Sequence, residues 1–149
     1  MAKRLAVIDV ERCVGCQACM FACARRMGEG GLAAACIGVR SAGGFRQGFI
    51  VSVCRACANP PCAHVCPTDA LVFRPGGGVR FKTDLCVSCH NCAEACPFDA
   101  VFWNDHEDKP QICVYCGYCA PYCAYDVLKL EEIAGRDDPA LAEEVNHAA

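Results

Sequence analysis

No stretch of this sequence approaches the roughly 18 consecutive apolar residues that a membrane-crossing helix requires. Leu, Ile, Val and Phe are thin for a 15.9 kDa chain that must bury its own core. Side-chain packing alone therefore gives this chain little to fold around, and something else must help to hold it. There is no G-x-G-x-x-G, no phosphate-binding G-x-x-x-x-G-K-[ST], and no acid-base or nucleophile constellation apart from its cysteines. A chain without a substrate site cannot by itself select a reaction. Nor is there an excess of positive charge: the formal net charge is -3, which argues against nucleic acid and an anionic membrane surface as partners.

What the chain has is cysteine, 17 of its 149 residues. In a short secreted protein that density would point to a disulfide scaffold. The count is odd, however, and the cysteines fall in tight groups. The start, "MAKRLAVIDVERC", offers only a brief apolar run before Asp9, too short for a signal peptide. "LAAAC" at 32–36 looks like a lipoprotein cleavage box but follows "RRMGEGG" with no apolar stretch, and cleavage there would discard the first cysteine group. The expectation is a reduced, cytoplasmic protein.

The cysteines form four repeats. The first box is Cys13, Cys16, Cys19 and Cys23 in "CVGCQACMFAC", and the second is Cys54, Cys57, Cys62 and Cys66 in "CRACANPPCAHVCP". The third is Cys86, Cys89, Cys92 and Cys96 in "CVSCHNCAEACP", and the fourth is Cys113, Cys116, Cys119 and Cys123 in "CVYCGYCAPYC". Cys36 is left over. The flanks repeat as well: the last three boxes run on into "PTDALVF", "PFDAVFWN" and "AYDVLKLEE", each with an Asp three residues past its last Cys and then a β-prone run. "RLAVIDVERC" and "GGVRFKTDLC" lead into boxes with strand-like alternation, and Gly76 to Gly78 read as a turn between strands. Each box thus predicts strand, cysteine loop, short helix, strand. Residues 24–48, rich in Gly and Ala, read as a linker, and a short helix is expected from Pro139 in the polar tail.

A cuboidal 4Fe-4S cluster needs one thiolate on each of four irons. C-x2-C-x2-C wraps the cluster and supplies three, while the fourth Cys of a C-x2-C-x2-C-x3-C-P run ligates the neighbouring cluster. Boxes must therefore come in pairs, and four boxes give four clusters and 16 ligands, every cysteine but Cys36. Sixteen thiolates around four oxidised cores of about +2 each would bring the net charge to about -11, so a docking partner should present a basic surface. Zinc would call for two separated C-x2-C pairs, often with His, and no His here keeps a fixed offset from the boxes. Disulfides within loops this short would be strained.

On these motifs, residues 49–103 resemble a complete two-cluster bacterial ferredoxin. The chain from about 13 to 127 resembles the four-cluster iron-sulfur subunits of multisubunit oxidoreductases, which include molybdenum and tungsten enzymes and some hydrogenases; "CANPPCAHVCPTDAL" and "CVSCHNCAEACPFDA" carry the likeness. The resemblance implies an α+β fold of two nested ferredoxin-like modules: 49–103 inside, and 1–48 with 104–149 outside. It also implies the ligand sets. Cys54, Cys57, Cys62 and Cys96 would bind one cluster, and Cys66, Cys86, Cys89 and Cys92 a second. Cys13, Cys16, Cys19 and Cys123 would bind a third, and Cys23, Cys113, Cys116 and Cys119 the fourth. Many relatives expand the fourth box and add a C-terminal extension that meets a membrane subunit. This compact chain looks most like the small iron-sulfur subunit of bacterial tungsten-dependent aldehyde oxidoreductases. One departure is that the Pro after the last Cys, Pro67 and Pro97 in the inner boxes, becomes Ala24 and Ala124 in the outer ones.

The expected function is electron transfer through four 4Fe-4S clusters. The expected partners are a large tungsten or molybdenum pterin catalytic subunit, which the resemblance suggests is an aldehyde oxidoreductase, and a flavin (NAD-linked) subunit or other acceptor, with self-association through the cluster-bearing ends. A free-standing polyferredoxin that shuttles electrons between enzymes is the alternative, and a zinc-bound interaction module a third reading. Other residues take plainer roles: Cys36 reads as a small buried thiol, His90 as a loop histidine or a donor to a cluster sulfur. Tyr115, Tyr118, Tyr122 and Tyr125 read as packing around the fourth box, and Arg25, Arg26, Arg40, Arg46 and Arg55 as a loose basic face.

Overall fold

The computed structural model of the protein describes residues 2–45 and 48–133. The helix expected from Pro139, and Arg46 of the basic group, lie outside the described residues. Among those residues no helix is long and apolar enough to cross a membrane.

The strands are short and pair two by two. The elements are β1 (Ala2–Val7), α1 (Ala18–Arg26), β2 (Ile37–Ser41), β3 (Phe49–Val53), α2 (Pro61–His64), β4 (Leu71–Phe73), β5 (Val79–Phe81), α3 (Asn91–Ala95), β6 (Phe102–Asn104), β7 (Lys109–Gln111) and β8 (Leu128–Ile133). Four two-stranded antiparallel ladders result: β1 with β8, β2 with β3, β4 with β5, and β6 with β7. The first of these joins the two far ends of the described chain, from Ala2 opposite Ile133 to Val7 opposite Leu128. The other three are hairpins. Gly76, Gly77 and Gly78, all at positive φ, make the turn between β4 and β5 as the sequence predicts.

Strands do precede and follow the boxes, with two departures from expectation. The Gly- and Ala-rich segment 24–48 is not only a linker, because "IGVRS" within it forms β2 and pairs along its whole length with β3. Buried Ile37 and Val39 alternate with Gly38 there, a period too brief to stand out from its surroundings. Gly38 also has a steric role, since a Cβ on it would lie 2.9 Å from the Phe102 ring. The fourth box, in turn, carries a single 3-10 turn, Ala120–Tyr122, in place of a short α-helix. In boxes one and three the first α-type bonds are Phe21 N–H to Gln17 O and Glu94 N–H to His90 O. Pro121 occupies the matching position in box four and has no N–H to give to Gly117 O. Only the shorter bond, Ala120 N–H to Gly117 O at 3.1 Å, is left.

Two small apolar clusters form the interior. One gathers Leu5, Ile37, Val39, Val51, Val53, Val127 and Leu128 around Cys19 and Cys119; the other gathers Leu71, Val79 and Ile112 around Cys62 and Cys92. The first thus draws its cysteines from boxes one and four, the second from boxes two and three. Leu5, Ile37 and Val53 are the largest fully buried side chains. At about 1.5–3 kcal/mol each, such residues give a modest hydrophobic contribution. The hairpins also bear on modularity: residue 48 ends the loop between β2 and β3, and the step from 103 to 104 falls inside β6. Hydrogen-bonded ladders therefore run across both boundaries read from the sequence.

Candidate metal centres

The boxes share one backbone conformation. The residue before the second Cys is left-handed in every box: Gly15, Ala56, Ser88 and Tyr115, with φ between 51° and 70°. The residue after the second Cys repeats this in three boxes, as Gln17, His90 and Gly117. Left-handed residues interleaved with ordinary ones curl a loop so that its N–H groups face a common concavity, the arrangement that cradles anions and iron-sulfur clusters. Burial repeats too. The third cysteine of each box, Cys19, Cys62, Cys92 and Cys119, is buried, while Cys16, Cys89 and Cys116 in the second position are exposed.

The thiols enclose cavities. Cys13, Cys16, Cys19 and Cys123 line a small pocket together with Val39, Val51, Val127 and Leu128. Cys66, Cys86, Cys89 and Cys92 line a second with Leu71, Phe81 and Trp103. In both, three cysteines come from one box and the remaining one is the last cysteine of a different box. Electrostatic neighbours trace the other two groupings. Cys62 is flanked by Cys54, Cys96 and Cys57 as well as Cys92, and Cys119 by Cys113, Cys23 and Cys116 as well as Cys19. No described cysteine is in a disulfide.

Desolvation by burial pushes Cys19 and Cys92 up to about 11, and Cys62 and Cys119 to about 12, with neighbouring thiols adding to the rise. Cys113 rises to about 11 for the same leading reason. Such thiols become thiolates only beside strong positive charge, which an iron core supplies. Among the described residues no three His, Cys, Asp or Glu side chains are grouped so as to hold a single metal ion. Four cysteines around each apolar pocket suit the donor set of a multi-iron core.

Each last cysteine receives a backbone N–H at its sulfur. Ala70, Ala100 and Val127 donate to Cys66, Cys96 and Cys123 at 3.2, 3.4 and 3.4 Å. The recurrent Asp makes this possible. Asp69, Asp99 and Asp126 stand at φ 55°, 49° and 54°, turning the next N–H back onto the sulfur, and Asp tolerates that conformation better than most residues. Box one has no such Asp. There the chain makes its excursion through 24–35 and returns so that Cys36 N–H meets Cys23 Sγ at 3.3 Å. Cys36 is buried, as the sequence implies, but it also touches a box cysteine. Its thiol, hydrogen-bonded to Cys23 and desolvated, is held far above the ordinary thiol range, and the same bond draws Cys23 down to about 6.

The remaining singled-out residues divide. His90 stacks on Trp103, with centroids 3.7 Å apart, and has Nε2 3.6 Å from Asp108. Arg40 pairs with Asp99 at 3.3 Å, and the Arg55 guanidinium lies 5.3 Å from the centre of the Phe98 ring. Tyr118 and Tyr122 are exposed and share a 3.2 Å contact between hydroxyls. Tyr115 is different. It is buried at 4% exposure, and its hydroxyl lies 3.0 Å from Cys54 Sγ in another box. Sequence reasoning missed this contact because 61 residues separate the pair and a Tyr in a crowded loop reads as packing.

Short antiparallel ladders, short helices and thiol-lined loops define a ferredoxin-like iron-sulfur protein. The profile of the 4Fe-4S dicluster domain matches residues 45–125, more than half the chain, and the chain belongs to that family. A tetrathionate reductase subunit of Archaeoglobus fulgidus is 35% identical over 101 residues, covering 66% of this chain and 47% of that protein. The arsenate respiratory reductase iron-sulfur subunit of a Shewanella species is 31% identical over 102 residues, covering 66% of this chain and 44% of that protein. The chain spans about half the length of the curated relatives it matches. A chain of the active site complex BamBC of benzoyl coenzyme A reductase, as isolated, is similar over 97% of this chain and 90% of that one, at 18% identity and a TM-score of 0.45.

Proposed function

We propose that this chain is a cytoplasmic electron-transfer subunit that carries electrons through four 4Fe-4S clusters between a catalytic subunit and a second redox partner. The observation that carries the reading is the cavity whose thiols come from opposite ends of the sequence, Cys13, Cys16 and Cys19 with Cys123. A fourth-position cysteine completing a distant box's set is the paired-cluster arrangement. Extended to all boxes, it gives inner sets Cys54, Cys57, Cys62, Cys96 and Cys66, Cys86, Cys89, Cys92. The outer sets are Cys13, Cys16, Cys19, Cys123 and Cys23, Cys113, Cys116, Cys119. The modules are then 49–103 and the flanking 1–48 with 104–149.

When bound, such clusters supply one-electron storage at a potential set by charge, hydrogen bonds and solvent exposure. The chain's own part is to hold and separate them. Buried third cysteines anchor each set, and the exposed Cys16, Cys89 and Cys116, beside exposed Val14, Val87 and Val114, bring sets near the surface where a partner can dock. The relatives, one of them part of a tetrathionate reductase and the other the iron-sulfur subunit of an arsenate reductase, support a large catalytic partner. We assign that partner to the tungsten or molybdenum pterin enzymes, with an aldehyde oxidoreductase and a flavin (NAD-linked) subunit as the narrower form. Self-association through the cluster-bearing ends is part of the same proposal.

Anaerobic purification from the native host tests this in one preparation. Iron and sulfide analysis, tungsten and molybdenum analysis and light scattering are the measurements. About 16 irons per chain, with tungsten or molybdenum in a complex far larger than 15.9 kDa, is the expected result. Molybdenum without tungsten would remove the tungsten assignment alone. A monodisperse single chain carrying iron and no partner would replace the subunit with a free polyferredoxin.

A further inference from the structure

Tyr115 holds a conformation that its counterparts leave to small residues. The matching positions in the other boxes are Gly15, Ala56 and Ser88, and all are left-handed. A bulky side chain at φ 59° is strained. What the side chain reaches is not its own box. Its ring passes to the second box, where the hydroxyl meets Cys54 Sγ at 3.0 Å and Val79 N–H at 3.2 Å. The neighbourhood is shaped around it. Gly78 has no room for a Cβ, which would fall 2.3 Å from the Tyr115 hydroxyl, and Gly78 N–H bonds Cys57 O at 2.8 Å. The Arg74 guanidinium lies 3.7 Å from the ring centre, fixed by 2.7 Å bonds to Gly77 O and Lys3 O.

The direction of the hydrogen bonds follows from counting protons. Val79 N–H can only donate, so the phenolic oxygen accepts from it, and its one proton is free to face Cys54 Sγ. A donor aimed at a ligand sulfur favours the state with more negative charge, which is the reduced one. The arginine above the ring acts in the same sense, and the buried setting strengthens both effects.

We propose that Tyr115 sets the reduction potential of the cluster bound by Cys54, raising it through an O–H to Sγ hydrogen bond that crosses from the fourth box to the second. The proposal rests on the ligand reading given above, with Cys54 as an iron ligand. The hydroxyl keeps its proton throughout: reduction adds one electron to the cluster, and no bond to Tyr115 forms or breaks. No equivalent donor reaches the other boxes from this position, because Gly15, Ala56 and Ser88 are too short to span a module. The bond thus distinguishes one cluster of the set, on the inner side of the boundary read from the sequence, and makes that cluster easier to reduce than it would be without the hydroxyl.

The test is potentiometric titration followed by electron paramagnetic resonance, on the anaerobically purified full chain and its Tyr115→Phe variant. Iron and sulfide contents equal to the parent show that the ligand sets are intact. With them intact, one signal is expected to need a more negative potential, by about a tenfold change in its reduced-to-oxidised ratio, or about 59 mV for a one-electron couple. Tyr122→Phe, which removes an exposed hydroxyl hydrogen-bonded to Tyr118, is the control and should move nothing. Unchanged potentials with full iron content would overturn the proposal and leave the cluster reading standing. A parent chain lacking four-iron signals would instead remove the cluster reading itself. Should Tyr115→Phe lose iron, 3-fluorotyrosine at position 115 decides the matter. It keeps the shape and strengthens the donor, so one potential must rise, and no shift overturns the proposal.

Discussion

Asp69, Asp99 and Asp126 show how much one residue can settle. Each is left-handed, each stands three residues past a cysteine, and each turns an N–H onto that cysteine's sulfur. A β-branched residue cannot adopt that conformation cheaply. Asp126→Val is therefore expected to cost about 1–2 kcal/mol and Asp126→Gly only a few tenths, read from anaerobic thermal melting followed by the visible absorbance. Equal losses from both would mean that the Asp side chain, and not its backbone, is what matters. Cys36 makes a second case. Cys36→Ser keeps both the backbone N–H and a hydroxyl donor toward Cys23, so full iron content is expected. Cys57→Ser, in a box, should lose or convert a cluster and weaken the inner pair, as iron analysis of the purified variants would report. At this scale the box cysteines and the recurrent Asp were legible, because they repeat at fixed offsets. The contacts of Cys36 with Cys23 and of Tyr115 with Cys54 were not, since neither repeats and both span long loops.

The β2–β3 hairpin is the element that the sequence concealed. Its segment is obscured by glycines and alanines, yet Ile37 lies opposite Val53 in a fully buried pair that closes one apolar cluster. Ile37→Ala is expected to destabilise by about 2–5 kcal/mol, visible as a lower thermal midpoint with the cluster absorbance initially intact. If the midpoint stayed put, the hairpin would be an ornament on the cysteine loops and not part of what supports them. The strands flanking the boxes were legible from alternation and turn glycines. The pairing of β2 with β3 and of β6 with β7 was not, because hairpins with strands of three to five residues leave little mark on a sequence.

At the scale of the whole molecule, both apolar clusters are built around cysteines that line or flank the thiol cavities. The interior and the metal centres are therefore one structure, and removing iron should remove the fold. Anaerobic chelation is expected to abolish the far-ultraviolet circular dichroism and the visible absorbance together, in one transition. Retention of the dichroism after complete loss of iron would show that the hydrophobic clusters suffice alone. The sequence indicated this dependence through its small supply of large apolar residues, and the α+β character through its short alternating runs. It did not indicate that ladders would cross the boundaries read from it at 48 and 103, because backbone pairing leaves no trace in side-chain composition.

The ladder between β1 and β8 has a consequence in time. Ala2 must wait for Ile133, and Cys13, Cys16 and Cys19 must wait for Cys123, before their shared cavity can close. On a translating ribosome the first thiols made are the last to be enclosed, while the second and third boxes can complete each other earlier. Assembly is therefore expected to run from the middle of the chain outward. The amino-terminal cysteines spend the longest part of synthesis open to oxygen and stray metal, so in a growing cell the first box is where a failed maturation should leave its chemical damage.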